Sequence, residues 1–196
     1  MPRTARILVD QGYYHIVTRG IERRKLFHCP QDFKAFRGII RENLKNFKID
    51  ILNYCFMSNH IHLLIQVQIS SDLAKFMKSI LQVYANRFRR KYKSVGYVYQ
   101  NRYKSKLIDS GAYLLECSRY IERNPLRAKL VTDLSNYPWS SFSYYAMGKE
   151  DDIITLANPM YLELGESTPA RQEAYKKYIC QERPYDLIVD KAFRIR

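Results

Sequence analysis

Two histidines of this sequence have the spacing of a partial metal site. They are separated by a single isoleucine in His60-Ile61-His62. On an extended strand successive side chains point to opposite faces, so the two imidazoles share one face and Ile61 points the other way, into a core. Imidazole nitrogens are common metal ligands. The spacing therefore predicts half of a metal site, and the alternative is a histidine pair that faces solvent or makes local hydrogen bonds.

A tyrosine and an asparagine farther along the chain could complete this site. Tyr120 and Asn124 are four residues apart, so on a helix they lie on the same face. If that helix packs near the histidine strand, two imidazoles and an amide oxygen would surround a divalent cation, with a phenol beside it. Asn124 also precedes Pro125, and an asparagine in that position is a good helix N-cap. Both roles are open for Asn124, and they do not exclude each other.

This combination of side chains suits the cleavage of a phosphodiester. A bound cation polarises a phosphoryl oxygen and stabilises the charge of the transition state. An ordinary phenol has a pKa of about 10, and a nearby cation helps it to ionise. The phenolate of Tyr120 would then attack phosphorus, and the resulting phosphotyrosine would conserve the bond energy for strand transfer. The alternative is a tyrosine that only packs on the sheet, as most of the 17 tyrosines must, and Tyr113 is the second candidate for the nucleophile.

Hydrophobic patterning predicts the elements that must position these residues. Stretches rich in β-branched and aromatic residues predict four strands, at 13–20, 49–57, 60–67 and 106–108. Apolar residues at helical spacing predict helices at 31–45, from about 73 to 91, after 109 or 110, and around 170–180. The expected caps of the second and third of these helices are Ser70-Ser71-Asp72 and then Asp109 or Ser110.

The order of these elements, β-α-β-β-α-β followed by a helix, is the ferredoxin-like arrangement of an α+β domain. It predicts an antiparallel sheet with helices on one face, and it would place the hairpin of residues 49–67 in the middle of the sheet. The later helix would carry Tyr120 as a catalytic helix. We expect a catalytic domain over residues 1–145 and an irregular or helical basic extension over residues 146–196. The fold alone fixes no function.

The charge balance favours a polyanionic partner. The chain has 33 Lys and Arg against 19 Asp and Glu, a formal net charge of +14. Neutralising phosphates releases condensed counterions, and tyrosine rings among basic residues can stack on unpaired bases. Exposed basic residues of this kind position a nucleic-acid backbone without reading its sequence. The candidates are Arg19, Arg23, Arg24, Arg102 and Lys104.

Cysteine usage and hydropathy predict a cytoplasmic protein with no membrane partner. The four cysteines are far apart and form no Cys-x-x-Cys pair, which argues against a zinc knuckle or a disulfide framework and for reduced thiols. No apolar run approaches the length of a membrane span. The other two histidines, His15 and His28, are predicted to be structural or surface residues.

Several motifs, taken together, resemble one known family. His60-Ile61-His62 has the histidine–hydrophobic–histidine (HUH) form, and Tyr120 begins the segment YIERNPLRA. Further matching segments lie at 14–20, 57–64, 100–105 and 137–141. In this order, over roughly residues 10–145, the motifs resemble the single-tyrosine HUH transposases, and among them the REP-associated tyrosine transposases.

The resemblance implies an enzyme that nicks single-stranded DNA near hairpins and can rejoin strands. It implies a 5′-phosphotyrosine link and a free 3′-hydroxyl, with Mg²⁺ or Mn²⁺ as cofactor. Carried onto this sequence, Tyr120 is the nucleophile, His60 and His62 are metal ligands, and Asn124 completes the metal site. The implied partner is single-stranded DNA with a hairpin, such as a REP-like palindrome, bound by a monomer or a homodimer.

Two other functions compete with this one. A non-catalytic module that binds DNA or RNA hairpins on the same fold would need the basic and aromatic surface, but neither the histidine pair nor Tyr120. A tyrosine-independent metal nuclease would remain active without Tyr120.

Overall fold

The protein is built on a four-stranded antiparallel sheet. A computed structural model describes residues 8–109, 111–184, 186 and 191. The strands are β1 (Gly12–Arg19), β2 (Ile49–Met57), β3 (His60–Val67) and β4 (Lys104–Ile108). Their order across the sheet is β2-β3-β1-β4, and every neighbouring pair is antiparallel. This confirms the ferredoxin-like arrangement. The hairpin is not in the middle as predicted, because β1 pairs with β3 along its whole length and leaves β2 at an edge.

Seven α-helices have defined bounds in the described part of the chain. They are α1 (Pro30–Leu44), α2 (Ser70–Tyr92), α3 (Gly111–Glu122), α4 (Asn124–Arg127), α5 (Phe142–Met147), α6 (Pro159–Leu162) and α7 (Thr168–Cys180). The predicted helices at 31–45, 73–91 and 170–180 correspond to α1, α2 and α7. The predicted strand at 106–108 begins two residues earlier, at Lys104, where it pairs with Val17 of β1.

The two faces of the sheet are covered by different helices. Helices α1 and α2 cover one face, and residues such as Phe36 and Phe76 pack there against Ile61 in a large apolar core. These two helices form the layer that was predicted on one face of the sheet. Helix α3 covers the opposite face, where Cys117 and Leu64 belong to a second apolar cluster. Because side chains alternate along β3, His60 and His62 lie on the same face as Leu64, beneath α3.

Two predicted helix caps are wrong. Helix α2 begins at Ser70, and its N-cap is Ile69, whose side chain has no polar atom. The carboxylate of Asp72 instead accepts a hydrogen bond from the backbone N–H of Lys48 at 3.0 Å, which ties α2 to the start of β2. Asn124 does not cap α4 either, because it lies inside that helix and the N-cap is Arg123. The predicted cap at Ser110 lies outside the described residues.

The exposed edge of β2 is closed by the segment at residues 137–141, which precedes α5. The N–H of Phe56 donates to the carbonyl of Trp139 at 2.8 Å, and the N–H of Ser141 donates to the carbonyl of Tyr54 at 3.0 Å. Backbone pairing of this kind protects an edge strand from pairing with another chain. It also joins the segment that leads to α5 directly to the sheet.

The helix that carries Tyr120 is held by a buried polar network. Glu122 of α3 is fully buried and accepts hydrogen bonds from Asn53 Nδ2 at 2.9 Å, Ser141 Oγ at 2.5 Å and the Tyr175 hydroxyl at 3.0 Å. These partners come from β2, the turn before α5, and α7. The network therefore fixes the rotation of α3 on the sheet from three directions.

Arg119 of α3 and Arg123, which directly follows α3, hold the end of α7. Arg119, which is 2% exposed, donates to the Tyr178 carbonyl at 3.1 Å and to both carboxylate oxygens of Asp186. Arg123 donates to the carbonyls of Ile179 and Cys180. The last carbonyls of a helix have no partner within the helix, and cations near them are favourable. These contacts attach α7 to α3.

Burial of Glu122 predicts a pH dependence of stability. Burial raises the pKa of Glu122 to about 7, against the hydrogen bonds from Ser141, Asn53 and Tyr175 that lower it. A carboxyl with a raised folded-state pKa stabilises the fold fully below its ordinary value of 4.5, and this contribution is lost as the pH rises through about 7. At about 1.4 kcal/mol for each pKa unit, the loss is at most about 3 kcal/mol. Denaturant unfolding of wild type and Glu122→Gln at pH 5 and pH 8 should show this loss in wild type only; equal losses would contradict it.

In the described part of the chain, no helix combines the length and the apolar character that crossing a membrane requires. All four cysteines are free, and Cys55 and Cys117 are buried.

Candidate active site

Three histidines meet on the sheet face beneath α3. The rings of His60 and His62 lie 5.0 Å apart between centroids and are nearly perpendicular. His15 of β1 stacks on His62 with a centroid distance of 5.1 Å, and its Nε2 lies 2.9 Å from Nδ1 of His62. The structure therefore places the two histidines of the HUH motif together, as the alternation predicts, and adds His15 behind them.

Helix α3 brings Tyr120 against this cluster. Its ring centroid lies 5.6 Å from that of His15 and 5.7 Å from that of His62, and both contacts are edge-on. The guanidinium carbon of Arg127 lies 4.2 Å from the Tyr120 ring centroid, and its Nη2 donates to the Tyr120 carbonyl at 2.6 Å. A cation over the ring stabilises negative charge on the phenol. The position suits a tyrosine that must ionise.

Hydrogen bonds to the last turn of α3 direct the amide of Asn124 at the histidines. Its Nδ2 donates to the carbonyls of Tyr120 and Ile121 at 3.0 and 2.9 Å. Both amide protons are therefore used, and the oxygen is the atom left to make the side-chain hydrogen bond with His60. His60 Nδ1 lies 2.6 Å from Oδ1 of Asn59, which leaves Nε2 of His60 for Asn124.

The histidines are neutral at physiological pH. Burial, followed by the charges of Arg19 and Arg127, lowers the pKa of His60 to about 4, although its hydrogen bond to Asn124 opposes this. Burial lowers the pKa of His62 well below its ordinary value, and the neighbouring His60 and His15 lower it further. Neutral imidazoles keep the lone pairs that bind a metal. The nearby arginines make the site attractive to a phosphate.

The residues of the site fit a divalent cation. The contacts above leave Nε2 of His62 available, and a cation could replace the contact between Nε2 of His60 and Oδ1 of Asn124. Nitrogen and amide oxygen are suitable donors. Among the described residues, no three His, Cys, Asp or Glu side chains form a metal-holding group. His15 is not a third ligand in this arrangement, because its Nε2 points at His62. Further ligands would have to be oxygen atoms of the substrate or water.

A cavity of about 160 Å³ beside the histidines gathers three of the five predicted basic residues. Arg19 and Val17, which pair with His60 and His62 in the sheet, form part of its wall. The complete lining is Val17, Thr18, Arg19, Gln100, Asn101, Arg102 and Lys104. Three cations and two amides around one cavity can hold a phosphate or a nucleotide next to the histidine face.

The other two predicted basic residues lie elsewhere. Arg24 donates to Ser94 Oγ at 3.1 Å, and its guanidinium lies 5.3 Å from the Phe88 ring. Arg23 is exposed in a single 3-10 turn after β1. The structure does not bring these two arginines into the cavity with Arg102.

The remaining candidates from the sequence are placed outside the cluster. Tyr113, the second candidate nucleophile, is 55% exposed and lies about two helical turns before Tyr120. His28 is exposed and packs on Tyr92 with a ring centroid distance of 4.5 Å.

Sequence reasoning missed two residues of the site, His15 and Arg127. His15 lies on the same face of β1 as Val17 and Arg19, because side chains alternate along a strand. With the ferredoxin-like strand order, this alternation could have placed His15 on the histidine face beside β3. Arg127 follows Tyr120 by seven residues, which is about two helical turns. The signal for His15 depended on knowing the register of β1 and β3. The signal for Arg127 depended on knowing that the chain stays helical after Tyr120.

The fold and the site define a ferredoxin-like α+β protein whose sheet presents a histidine pair to a tyrosine on a following helix. A family model for IS200-like transposases matches residues 8–124. The chain therefore belongs to the IS200-like transposase family.

A solved structure has a similar fold. A REP-associated tyrosine transposase bound to a REP hairpin is similar with a TM-score of 0.63 and 17% sequence identity, over 78% of this chain and 90% of that one. A candidate transposase from Deinococcus radiodurans matches with a TM-score of 0.43 and 15% identity, over 66% of this chain and 92% of that one. The second score is too low to establish a shared fold. Among curated proteins no sequence matches.

Proposed function

We propose that this transposase cleaves single-stranded DNA near hairpins through a covalent bond to Tyr120, with the help of a divalent cation, and can rejoin the strands. One observation carries the proposal: α3 holds Tyr120 against His62, and the start of α4 holds Asn124 against His60. A nucleophile and the donors of a cation site thus share one sheet face. A module that only binds nucleic acid has no need of this arrangement.

In the proposed reaction Tyr120 attacks the phosphorus of a phosphodiester. The phenol gives up its proton, the bond between phosphorus and O3′ breaks, and the leaving 3′ oxygen takes up a proton. The products are a 5′-phosphotyrosine and a free 3′-hydroxyl. His60, His62 and Asn124 hold Mg²⁺ or Mn²⁺, which when bound supplies Lewis-acid stabilisation of the phosphoryl oxygens. Arg127 stabilises the phenolate through its position over the ring.

The proposed substrate is a DNA hairpin with a single-stranded flank. The net charge of +14 and the cationic cavity with Arg19, Arg102 and Lys104 suit such a polyanion. A REP hairpin is bound by the transposase of similar fold, which supports a REP-like palindrome as the first substrate to test. Tyr120 and the two histidines of the HUH motif meet within one chain, so we propose that a monomer suffices, with the tyrosine acting in cis.

The proposal is tested by incubating the wild-type protein with labelled hairpin DNAs and Mn²⁺, Mg²⁺ or EDTA, and separating the products on a denaturing gel. We expect a protein–DNA adduct and a released DNA fragment that ends in a 3′-hydroxyl with metal, and neither with EDTA. Tight binding without an adduct across hairpins of varied stem and flank would instead support the binding-module alternative.

The cationic cavity gives a prediction about affinity. Arg102→Ala should weaken hairpin binding by roughly 3- to 10-fold and reduce the slope of log K against log salt by about 1, because one phosphate contact is lost. Fluorescence anisotropy at several salt concentrations measures both quantities. Arg90→Ala, which removes an exposed arginine of α2, is the control for the loss of general positive charge. Equal effects of the two substitutions would show that the cavity does not contact DNA.

A further inference from the structure

His15 makes a specific contact with one of the two histidines that the proposed function assigns to the metal. It is fully buried in the sheet, and its Nε2 lies 2.9 Å from Nδ1 of His62. The rings are stacked, with an angle of 18° between their planes. Since His62 Nδ1 is engaged by this contact, Nε2 is the only nitrogen of His62 left for a ligand bond.

Packing alone does not explain an imidazole at position 15. Nδ1 of His15 is buried and has no hydrogen-bond partner among the described residues. A buried polar atom without a partner destabilises a fold, whereas an apolar ring of similar size would fill the same space without that penalty. The value of a histidine here therefore lies in its other nitrogen, the one directed at His62.

The contact couples the tautomer of His62 to that of His15. An imidazole that binds a metal through Nε2 must carry its proton on Nδ1, and a hydrogen-bond acceptor next to Nδ1 fixes both that proton and the orientation of the ring. Nε2 of His15 is such an acceptor when the proton of His15 is on Nδ1. In this arrangement His62 donates from Nδ1 to His15 and presents its Nε2 lone pair to the site.

We infer that His15 is a positioning residue for the metal site, which holds the ring and the tautomer of His62 so that Nε2 can bind the cation. This inference rests on the proposed function, because it requires that His62 binds metal. His15 itself touches neither metal nor DNA in this role.

The inference is tested by measuring Mn²⁺ affinity by calorimetry on purified full-length variants without DNA, so that the readout does not depend on cleavage. His15→Phe keeps an aromatic ring and removes the acceptor, and it should weaken Mn²⁺ binding by roughly 10- to 100-fold. His15→Gln places an amide near the position of Nε2 and should bind Mn²⁺ within a few-fold of wild type. His28→Gln, on the exposed histidine, is the matched control and should bind like wild type.

The outcomes separate this inference from the proposed function. If wild type binds Mn²⁺ and His15→Phe binds it equally well, or if His15→Gln is as weak as His15→Phe, the positioning role is overturned while the metal site stands. If wild type does not bind Mn²⁺ at all, the metal site and the inference both fail. A melting temperature of His15→Phe close to that of wild type, measured without metal, shows that weaker binding is not a folding defect.

A measurement on the wild-type protein keeps the inference testable if His15→Phe does not fold. With ¹⁵N-labelled protein and Mg²⁺, two-dimensional NMR of the imidazole nitrogens should show His62 protonated on Nδ1 and hydrogen-bonded there. A His62 that carries its proton on Nε2 in the presence of saturating Mg²⁺ would overturn the inference.

Discussion

Substitution of Tyr120 by phenylalanine is expected to abolish the covalent protein–DNA adduct and to leave hairpin affinity unchanged. The substitution removes only the hydroxyl, so the ring can keep its contacts with His15 and His62 and its position under Arg127. Loss of a covalent nucleophile reduces the rate by on the order of 10³-fold or more. A denaturing gel with Mn²⁺ measures the adduct, and anisotropy with the same hairpin measures binding.

Tyr113→Phe is the matched control for this experiment. Tyr113 lies on the same helix and is more than half exposed, so its substitution should leave the adduct intact. Cleavage by Tyr120→Phe at the wild-type rate would remove Tyr120 as the nucleophile. If that cleavage produced an adduct, Tyr113 would become the first candidate, and if it produced none, a metal nuclease that does not use tyrosine would be favoured.

Much of the fold could be predicted because its strands are regular and local. The bounds of β2 and β3 agree with those predicted from stretches of β-branched and aromatic residues, and Ser58-Asn59 forms the short connection between them. The sequence of elements also predicts the antiparallel ferredoxin-like sheet. The position of the hairpin was wrong, because hairpin pairing is local whereas the pairing of β1 with both β3 and β4 depends on contacts between distant segments.

Spacing in the sequence also predicted which site residues share a face within one strand or one helix. His60 and His62 share a face because strands alternate, and Tyr120 and Asn124 share a face because they are one helical turn apart. The orientation of the Asn124 amide could not be predicted, because it depends on the helix continuing through Pro125, so that Nδ2 donates backwards to Tyr120 and Ile121.

The supports of the site were beyond the reach of sequence patterns. Glu122 draws its partners from residues that are 69, 19 and 53 positions away, and no periodicity connects such positions. His15 contacts His62 across 47 positions. Contacts of this kind arise only when tertiary packing brings elements together, and they decide how rigidly Tyr120 and the histidines are held.

Removal of one predicted metal ligand should have the second large effect. His60 is the better choice for this test because it is less buried than His62, so His60→Ala disturbs the sheet less. It should eliminate measurable Mn²⁺ binding and reduce adduct formation by on the order of 10²-fold or more, because electrostatic stabilisation of the transition state is lost. Hairpin affinity in EDTA should remain that of wild type, since the cationic cavity is intact.

Calorimetry measures Mn²⁺ binding, the denaturing gel measures adduct formation and anisotropy measures hairpin affinity, with His28→Gln as the control. Wild-type adduct formation by His60→Ala, or by the wild-type protein in EDTA, would show that Tyr120 acts without a cation held by this histidine pair.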